Sequence, residues 1–283
     1  MQNFNLHQHT YRCRHADLRM EDEDYVQEYL QIGFKKFAFT DHCPEKEVID
    51  DRNFMRMDYS ERIGYLESIK KLKEKYKDKI EILSGYEIEY LPGQEENLKE
   101  LKDETDILIL GQHFIYNKDG KSLHILHDDE FNDDEMDRYA TYIEKACELG
   151  LPDIVAHPDF FMISRKIWSQ KNEEITRRIC ETVEKNNIAL EINLNDIFKK
   201  TIYDYKKDIF YNYTEQEIEK KLKEVRYPNA EFWKIVSEYN IKVLYGSDTH
   251  FKNQILYFND LIPLANKILG KETVEKLNFV EDL

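Results

Sequence analysis

Seven short apolar runs, separated by longer amphipathic stretches, constrain this chain of 283 residues more than any other feature. The runs are Phe4–His9, Lys36–Thr40, Ile80–Glu87, Ile107–Gln112, Asp153–Ala156, Ile188–Asn193 and Ile241–Tyr245. Several are almost continuously apolar, as strands covered on both faces are. The segments Glu21–Ile32, Ser60–Tyr76, Glu95–Leu101, Asp133–Leu149, Asn172–Lys185, Thr214–Val225 and Glu231–Tyr239 carry helical patterning, and a last helix is expected near Asn253–Leu269. Ser60, Thr214 and Asn229 stand where N-caps belong. Strands alternating with helices call for a parallel sheet, either open and doubly wound or closed into a barrel.

The residues at the strand ends decide between the two. The first run ends in His7-Gln8-His9, with His15 in the loop beyond it. The second ends in Thr40-Asp41-His42, the third in Glu87 and the fourth in Gly111-Gln112-His113. Ala156-His157-Pro158-Asp159 closes the fifth and Gly246-Ser247-Asp248-Thr249-His250 the seventh. Strand alternation puts His7 with His9, and Asp248 with His250, on one face. In an open sheet such ends form a row; in a barrel they ring one mouth. The expected fold is therefore α/β, a distorted TIM-like (β/α)7 barrel with a metal site at the C-terminal ends of its strands. It would occupy residues 1–283 as a single domain, with 41% hydrophobic residues to fill the core.

Imidazole together with carboxylate suits zinc, iron or manganese. Nine donors are too many for one ion, and a carboxylate can bridge two ions about 3.5–4 Å apart, the spacing used for in-line displacement at phosphorus. The formal net charge of −16 disfavours nucleic acid as a partner. It does not exclude a small phosphorylated substrate, because bound divalent cations reverse the local sign. No leader or apolar run of about 18 residues is seen, so no membrane role is expected. Cys13, Cys43, Cys147 and Cys180 show no CxxC spacing and read as reduced thiols of a cytoplasmic protein.

Other residues carry secondary expectations. Arg165 and Arg14 are candidate phosphate contacts, since a guanidinium fork matches phosphate oxygens. Asp17 is a candidate acid for the leaving group, or a holder of a substrate amine. Asp41 and Asp159 would either orient imidazoles or cap the following helix. Glu191 would be a buried structural group or a substrate contact. Glu89 reads as a solvated acid, and His124 and His127 as exposed loop residues. The segment Phe198–Tyr213, with Tyr203, Tyr205, Tyr211 and Tyr213, reads as solvated helix and loop.

In order and spacing, these strand-end motifs resemble the polymerase-and-histidinol-phosphatase (PHP) superfamily. The resemblance runs from residue 7 to residue 250 and implies a distorted (β/α)7 barrel with three divalent metal ions. It implies His7, His9, Glu87 and Asp248 on one ion, Glu87 bridging to a second held by His113 and His157, and His15, His42 and His250 on the third. Glu87, Asp248 and Asp17 would then be the catalytic side chains. Arg14-His15-Ala16, Leu190-Glu191-Ile192-Asn193 and Arg226-Tyr227-Pro228-Asn229 are similar to the stand-alone histidinol-phosphatase branch. That similarity implies hydrolysis of L-histidinol phosphate in histidine biosynthesis, by a protein expected to be a monomer. The alternatives are another phosphoesterase of the superfamily, acting on phosphotyrosine, a nucleotide or a sugar phosphate, or a non-catalytic metal-binding module. The chain departs from the branch at Gly111-Gln112, at Leu194-Asn195-Asp196, and in Phe198–Tyr213, which reads as an insert.

Overall fold

The computed structural model describes residues 2–46, 55–126, 131–204 and 206–281. In chain order the strands are β1 (Phe4–Asn5), β2 (Lys36–His42), β3 (Glu81–Ile88), β4 (Ile107–Leu110), β5 (Phe114–Tyr116), β6 (Ser122–His124), β7 (Ile154–Val155), β8 (Ala189–Asn193), β9 (Tyr203–Asp204), β10 (Ile209–Phe210), β11 (Lys242–Gly246) and β12 (Asn278–Phe279). The helices are α1 (Asp22–Gln31), α2 (Arg62–Tyr76), α3 (Glu95–Glu104), α4 (Asp133–Glu148), α5 (Met162–Arg165), α6 (Gln170–Lys185), α7 (Asn195–Thr201), α8 (Glu215–Leu222), α9 (Ala230–Val236), α10 (Lys252–Leu256), α11 (Phe258–Leu269) and α12 (Lys271–Lys276).

Each of the seven expected runs contributes a strand to one parallel sheet, ordered β1-β2-β3-β4-β7-β8-β11-β12. The eighth strand, β12, corrects the count of seven. It pairs with the start of β11 through Lys242↔Asn278 and Val243↔Phe279, and two residues are too few to display a period. At the other end of β11 the chain meets the β1 segment instead. Gln8 bridges Thr249 in parallel, and the Gln2 side chain donates to Tyr245 O at 2.7 Å and accepts from Tyr245 N at 3.0 Å. The sheet thus closes on itself at the mouth while β12 lies along β11 near the floor, which accounts for the distortion of the barrel.

Alternation along the strands sorts the side chains into two layers. Ile107 and Ile109 join Phe4, Leu6, Ala38, Ile154, Ala189 and Leu244 inside the barrel, whereas Leu108 and Leu110 join the larger core under the helices. The inward positions change character toward the mouth. Ala38 leads to Thr40 and His42, Leu83 to Gly85 and Glu87, Ile109 to Gly111 and His113, and Leu244 to Gly246 and Asp248. The barrel is therefore apolar below and donor-rich above, on the same strands.

Helix starts follow the capping chemistry in part. Thr214 accepts from Glu217 N at the start of α8, and Asn229 accepts from Glu231 N and Phe232 N at the start of α9. Ser60 does not cap α2, which begins at Arg62 after a 3-10 turn over Tyr59–Glu61. The expected last helix is broken into α10 and α11 at Tyr257, with α12 following. The Phe198–Tyr213 segment is solvated over residues 206–210, as expected, and carries a short hairpin besides the helix end. It forms the end of α7 and the β9–β10 hairpin (Ile209↔Asp204, Phe210↔Tyr203), with Tyr203 buried between Phe198 and Phe210. Tyr205 lies outside the described residues, as does His127. No helix among the described residues is long and apolar enough to cross a membrane.

Candidate metal centre

Seven imidazoles and two carboxylates meet at the C-terminal mouth of the barrel. Glu87, on β3, stands at the centre and is 1% exposed. Its Oε1 lies 3.0 Å from His157 Nε2, 3.5 Å from His7 Nε2 and 3.7 Å from His113 Nε2. Its Oε2 lies 2.8 Å from His42 Nδ1 and 3.4 Å from His9 Nε2. Asp248 Oδ1 is 3.2 Å from His9 Nε2, 3.6 Å from His7 Nε2 and 3.3 Å from His250 Nδ1. All but His15 are buried.

The arrangement has the marks of a metal-ligand cluster. His7 Nε2 faces His9 Nε2 at 3.1 Å, and His15 Nε2 faces His250 Nε2 at 2.8 Å. Nitrogens each about 2.0–2.1 Å from one tetrahedral ion stand roughly 3.3–3.4 Å apart, so these spacings are close to those of shared ligands. Glu87 Oε2 makes no hydrogen bond although His42 Nδ1 is 2.8 Å away, which fits two ligands better than a donor–acceptor pair. His7, His9 and Glu87 form one compact group; His7, His157 and Asp248 form another, and His9, His42 and His250 a third. Donor type, burial and convergence therefore fit a metal site.

Charge is balanced inside the cluster. Burial disfavours ionised Glu87, but His42, His7 and His113 outweigh it and hold the carboxyl well below its usual range. Asp248 is held down in the same way by His7, His250 and His9. Burial also works against a charged His9, yet Asp248, Asp41 and Glu87 raise it to about 9. His15 is lowered to about 4 by burial and by His9.

Backbone strain is concentrated here. His157 and Asp248 hold positive φ values of 31° and 46°, a conformation that costs about 1–3 kcal/mol for a non-glycine residue. Gln254 braces the second turn, donating to Ser247 O and Asp248 O and accepting from His250 N at 2.8 Å. His15 is aimed back at the cluster by a 3-10 turn over Tyr11–Cys13 that ends at Arg14, with φ 69°.

A family model, the PHP domain, matches residues 5–195, about two thirds of the chain. The chain belongs to the PHP family. Asp248 and His250 lie beyond the matched PHP residues, yet the fold returns them to the same mouth. The PHP chain is 35% identical over 101 residues to a Schizosaccharomyces pombe protein named probable histidinol-phosphatase, covering 34% of this chain and 32% of that one. It is 27% identical over 191 residues to the probable phosphatase YcdX of Escherichia coli, covering 66% and 62% respectively. The PHP chain thus spans less than two thirds of either curated relative. Its fold is shared with the hisK protein of Listeria monocytogenes (TM-score 0.71, 21% identity, 90% and 99% of the two chains). It is also shared with histidinol phosphate phosphatase of Lactococcus lactis, solved with zinc, L-histidinol and phosphate (TM-score 0.63, 16% identity, 93% and 94%).

Around the PHP cluster, a second set of side chains fixes the first. Glu191 accepts from His7 Nδ1 at 2.9 Å and from Asn193 Nδ2 at 2.6 Å, so it is the buried structural group rather than an exposed contact. Asp41 takes the Thr10 amide at 2.8 Å and the Thr10 hydroxyl, and lies 3.8 Å from His9 Nδ1. Asp159 does neither of the expected tasks. It accepts from Asn229 N at 2.6 Å and Trp233 Nε1 at 3.1 Å, tying the loop after β7 to α9. Glu89 is a correction: it is buried, lies 3.3 Å from His113 Nδ1, and is faced by the buried Arg56 at 3.6 Å. The signal was present, since residues 87 and 89 alternate as His7 and His9 do. Asn195 was missed. It donates to Asp248 Oδ2 at 2.9 Å from the first turn of α7.

Of the three expected substrate groups, the two arginines are not brought to the cluster, while Asp17 borders it through its backbone. Arg165 ends the four-residue helix α5 and is engaged by Phe131 O at 2.5 Å and Asp133 at 3.0 Å, in a separate surface cleft. Arg14 is exposed and paired with Glu61 and Asp58. Asp17 donates its N–H to His250 O at 2.8 Å, while its carboxylate pairs with Arg19 at 2.8 Å, a pairing that holds it below the usual range. His124 is corrected in the other direction. It is half-buried on β6, stacks on His113 at 6.3 Å, and lines a cavity of about 480 Å³ above the cluster with Phe160, Tyr227, Asn195 and Lys199. That size suits a small ligand.

Proposed function

We propose that this chain is a cytoplasmic, monomeric phosphomonoesterase that hydrolyses L-histidinol phosphate to L-histidinol and inorganic phosphate. The observation that carries the reading is the convergence of seven imidazoles on Glu87 and Asp248 beneath one small cavity. The proposed ligand sets are His7, His9, Glu87 and Asp248; Glu87, His113 and His157; and His15, His42 and His250, for three ions of zinc, iron or manganese. Glu87 approaches members of all three sets, at 3.5 Å from His7, 3.0 Å from His157 and 2.8 Å from His42, which supports its role as the bridge. The zinc, L-histidinol and phosphate of the Lactococcus lactis structure support the choice of substrate.

Divalent ions held by these residues would lower the pKa of a water and would place positive charge against the phosphoryl oxygens. The chain's own part is to fix the ligands. Glu191 holds the His7 ring, Glu89 the His113 ring and Asn195 the Asp248 carboxylate, so little reorganisation is needed when the ester enters. Phe160, Ile163 and Tyr227 form an apolar side of the cavity.

A second reading keeps the reaction and changes the ester to phosphotyrosine, a nucleotide or a sugar phosphate. It is favoured by the cavity wall, which includes Asn195 and Asp196 from the stretch that departs from the histidinol-phosphatase branch. Phosphate release from a panel of monoesters, by metal-replete protein with and without chelator, tests both. Histidinol phosphate as the fastest ester supports the first; clear preference for another ester transfers support to the second. No release from any ester sinks the hydrolase reading.

A further inference from the structure

The cavity above the cluster is poor in positive side chains for a site that would receive a phosphate ester. Asp248 lies in its floor and Asp196 in its wall, in a chain of net charge −16. A phosphomonoester adds about −1.5 to −2. Arg14 and Arg165 are both paired with carboxylates away from this cavity. Among the described residues that line it, Lys199 is the one lysine or arginine.

Lys199 reaches the cavity for a structural reason. It lies on α7, four residues after Asn195 and three after Asp196, so the three share one face of the helix. Asn195 anchors that face, donating to Asp248 and accepting from Gln254 Nε2 at 3.1 Å. Lys199 lines the cavity together with His15, Asp248 and His250, which places it beside the cluster. The opposite character appears beyond β4 and β7, where Leu126, Phe160 and Ile163 line the wall. The cavity thus has a charged side, where Lys199 stands with Asp196 and Asp248, and an apolar side.

We infer that Lys199 is the phosphate-gripping side chain of this site, binding the phosphoryl group of the ester and the product phosphate alike. The inference rests on the phosphomonoesterase reading above. An ammonium on a flexible stem is a point charge that follows a tetrahedral anion as it turns over, without the fixed fork of arginine. The organic part of the ester then lies toward Leu126, Phe160 and Ile163.

The test uses full-length, metal-replete protein with Lys199→Met and Lys199→Arg. Binding of inorganic phosphate is measured by calorimetry, and KM and kcat on the best monoester in parallel. Lys199→Met is expected to weaken phosphate binding and raise KM by roughly 10- to 100-fold, the range for loss of a charge-assisted hydrogen bond. Lys199→Arg should recover most of both. Phosphate affinity unchanged in Lys199→Met, while the parent binds phosphate, would overturn the inference. So would a matching loss of bound metal, because Lys199 would then act on the ligands and not on the anion. A parent protein that binds phosphate through Lys199 but hydrolyses no ester would overturn the phosphomonoesterase reading and keep the anion site.

Discussion

A Cβ atom on Gly111 would stand 1.9 Å from Glu87 Oε1. No carbon and oxygen tolerate that approach, so the missing side chain at 111 is what admits the central carboxylate. The Gly111-Gln112 departure is thereby explained in part: the position between Ile109 and His113 faces inward, where Glu87 already fills the space. Gly111→Ala should displace Glu87, cost about 1–3 kcal/mol of stability through overpacking, and lower metal affinity by roughly 10- to 100-fold. Metal analysis of the purified variant, beside a denaturation curve, checks both. Full metal occupancy would refute the spatial argument.

Glu191 is the matching case on the other side of the barrel. Gly246 leaves room for it, since a Cβ there would lie 2.1 Å from Glu191 Oε2. Its hydrogen bond fixes which nitrogen of His7 faces the cluster. Glu191→Gln should keep the fold and lower metal affinity by roughly 10- to 100-fold, with a parallel loss of activity that excess metal restores. Failure of excess metal to restore activity would point to a direct role for Glu191 in substrate binding.

Removal of metal should also reveal itself without any substrate. An ion that binds only the folded state stabilises it by about 4 kcal/mol at a thousandfold excess over Kd. For a chain of 283 residues, that corresponds to a rise in Tm of roughly 7 °C. Exhaustive chelation should therefore lower Tm by several degrees and abolish phosphate release together, and added zinc or manganese should restore both. Coincident loss with separate recovery would mean that the stabilising and the catalytic ions differ.

Much of this site is legible in the sequence because strand periodicity and donor type coincide. Six of the seven runs end at or just before an imidazole or carboxylate, and a closed sheet brings those ends together. What escapes is direction. Arg165 follows the fifth strand as expected, but it ends a single helical turn whose side chain points to Phe131 O. Asn195 and Lys199 sit in a segment that reads as departure and insert, and only the docking of α7 against Asp248 turns them inward. Glu89 reads as a surface acid because charge argues for solvent; the buried Arg56 that faces it stands 33 residues earlier in the chain. Strand β12 escapes for a simpler reason, since two residues hold no pattern.

The floor of the barrel offers a test far from the metal. Asp106 accepts from Lys73 Nζ at 2.7 Å, from Ser84 N at 2.7 Å and from Ser84 Oγ at 2.6 Å, tying the start of β4 to β3 and α2. Partial burial disfavours its charge, but Lys73 and Ser84 outweigh that and lower its pKa below 3.8. A carboxyl with a lowered folded-state pKa contributes stability that is complete above its unfolded pKa and disappears as pH falls through the folded one. Asp106→Asn should therefore be less stable than the parent from about pH 5 upward, with the difference shrinking below about pH 4 as the parent's own carboxyl takes up its proton. The pair with Lys73 is half-exposed and screened by salt, so its share of the difference is small, and most of it should persist at high ionic strength through the two Ser84 contacts. Urea unfolding of both proteins between pH 3 and 7, at low and high salt, measures this. A difference that stays constant across that range would show that Asp106 contributes through shape and not through charge.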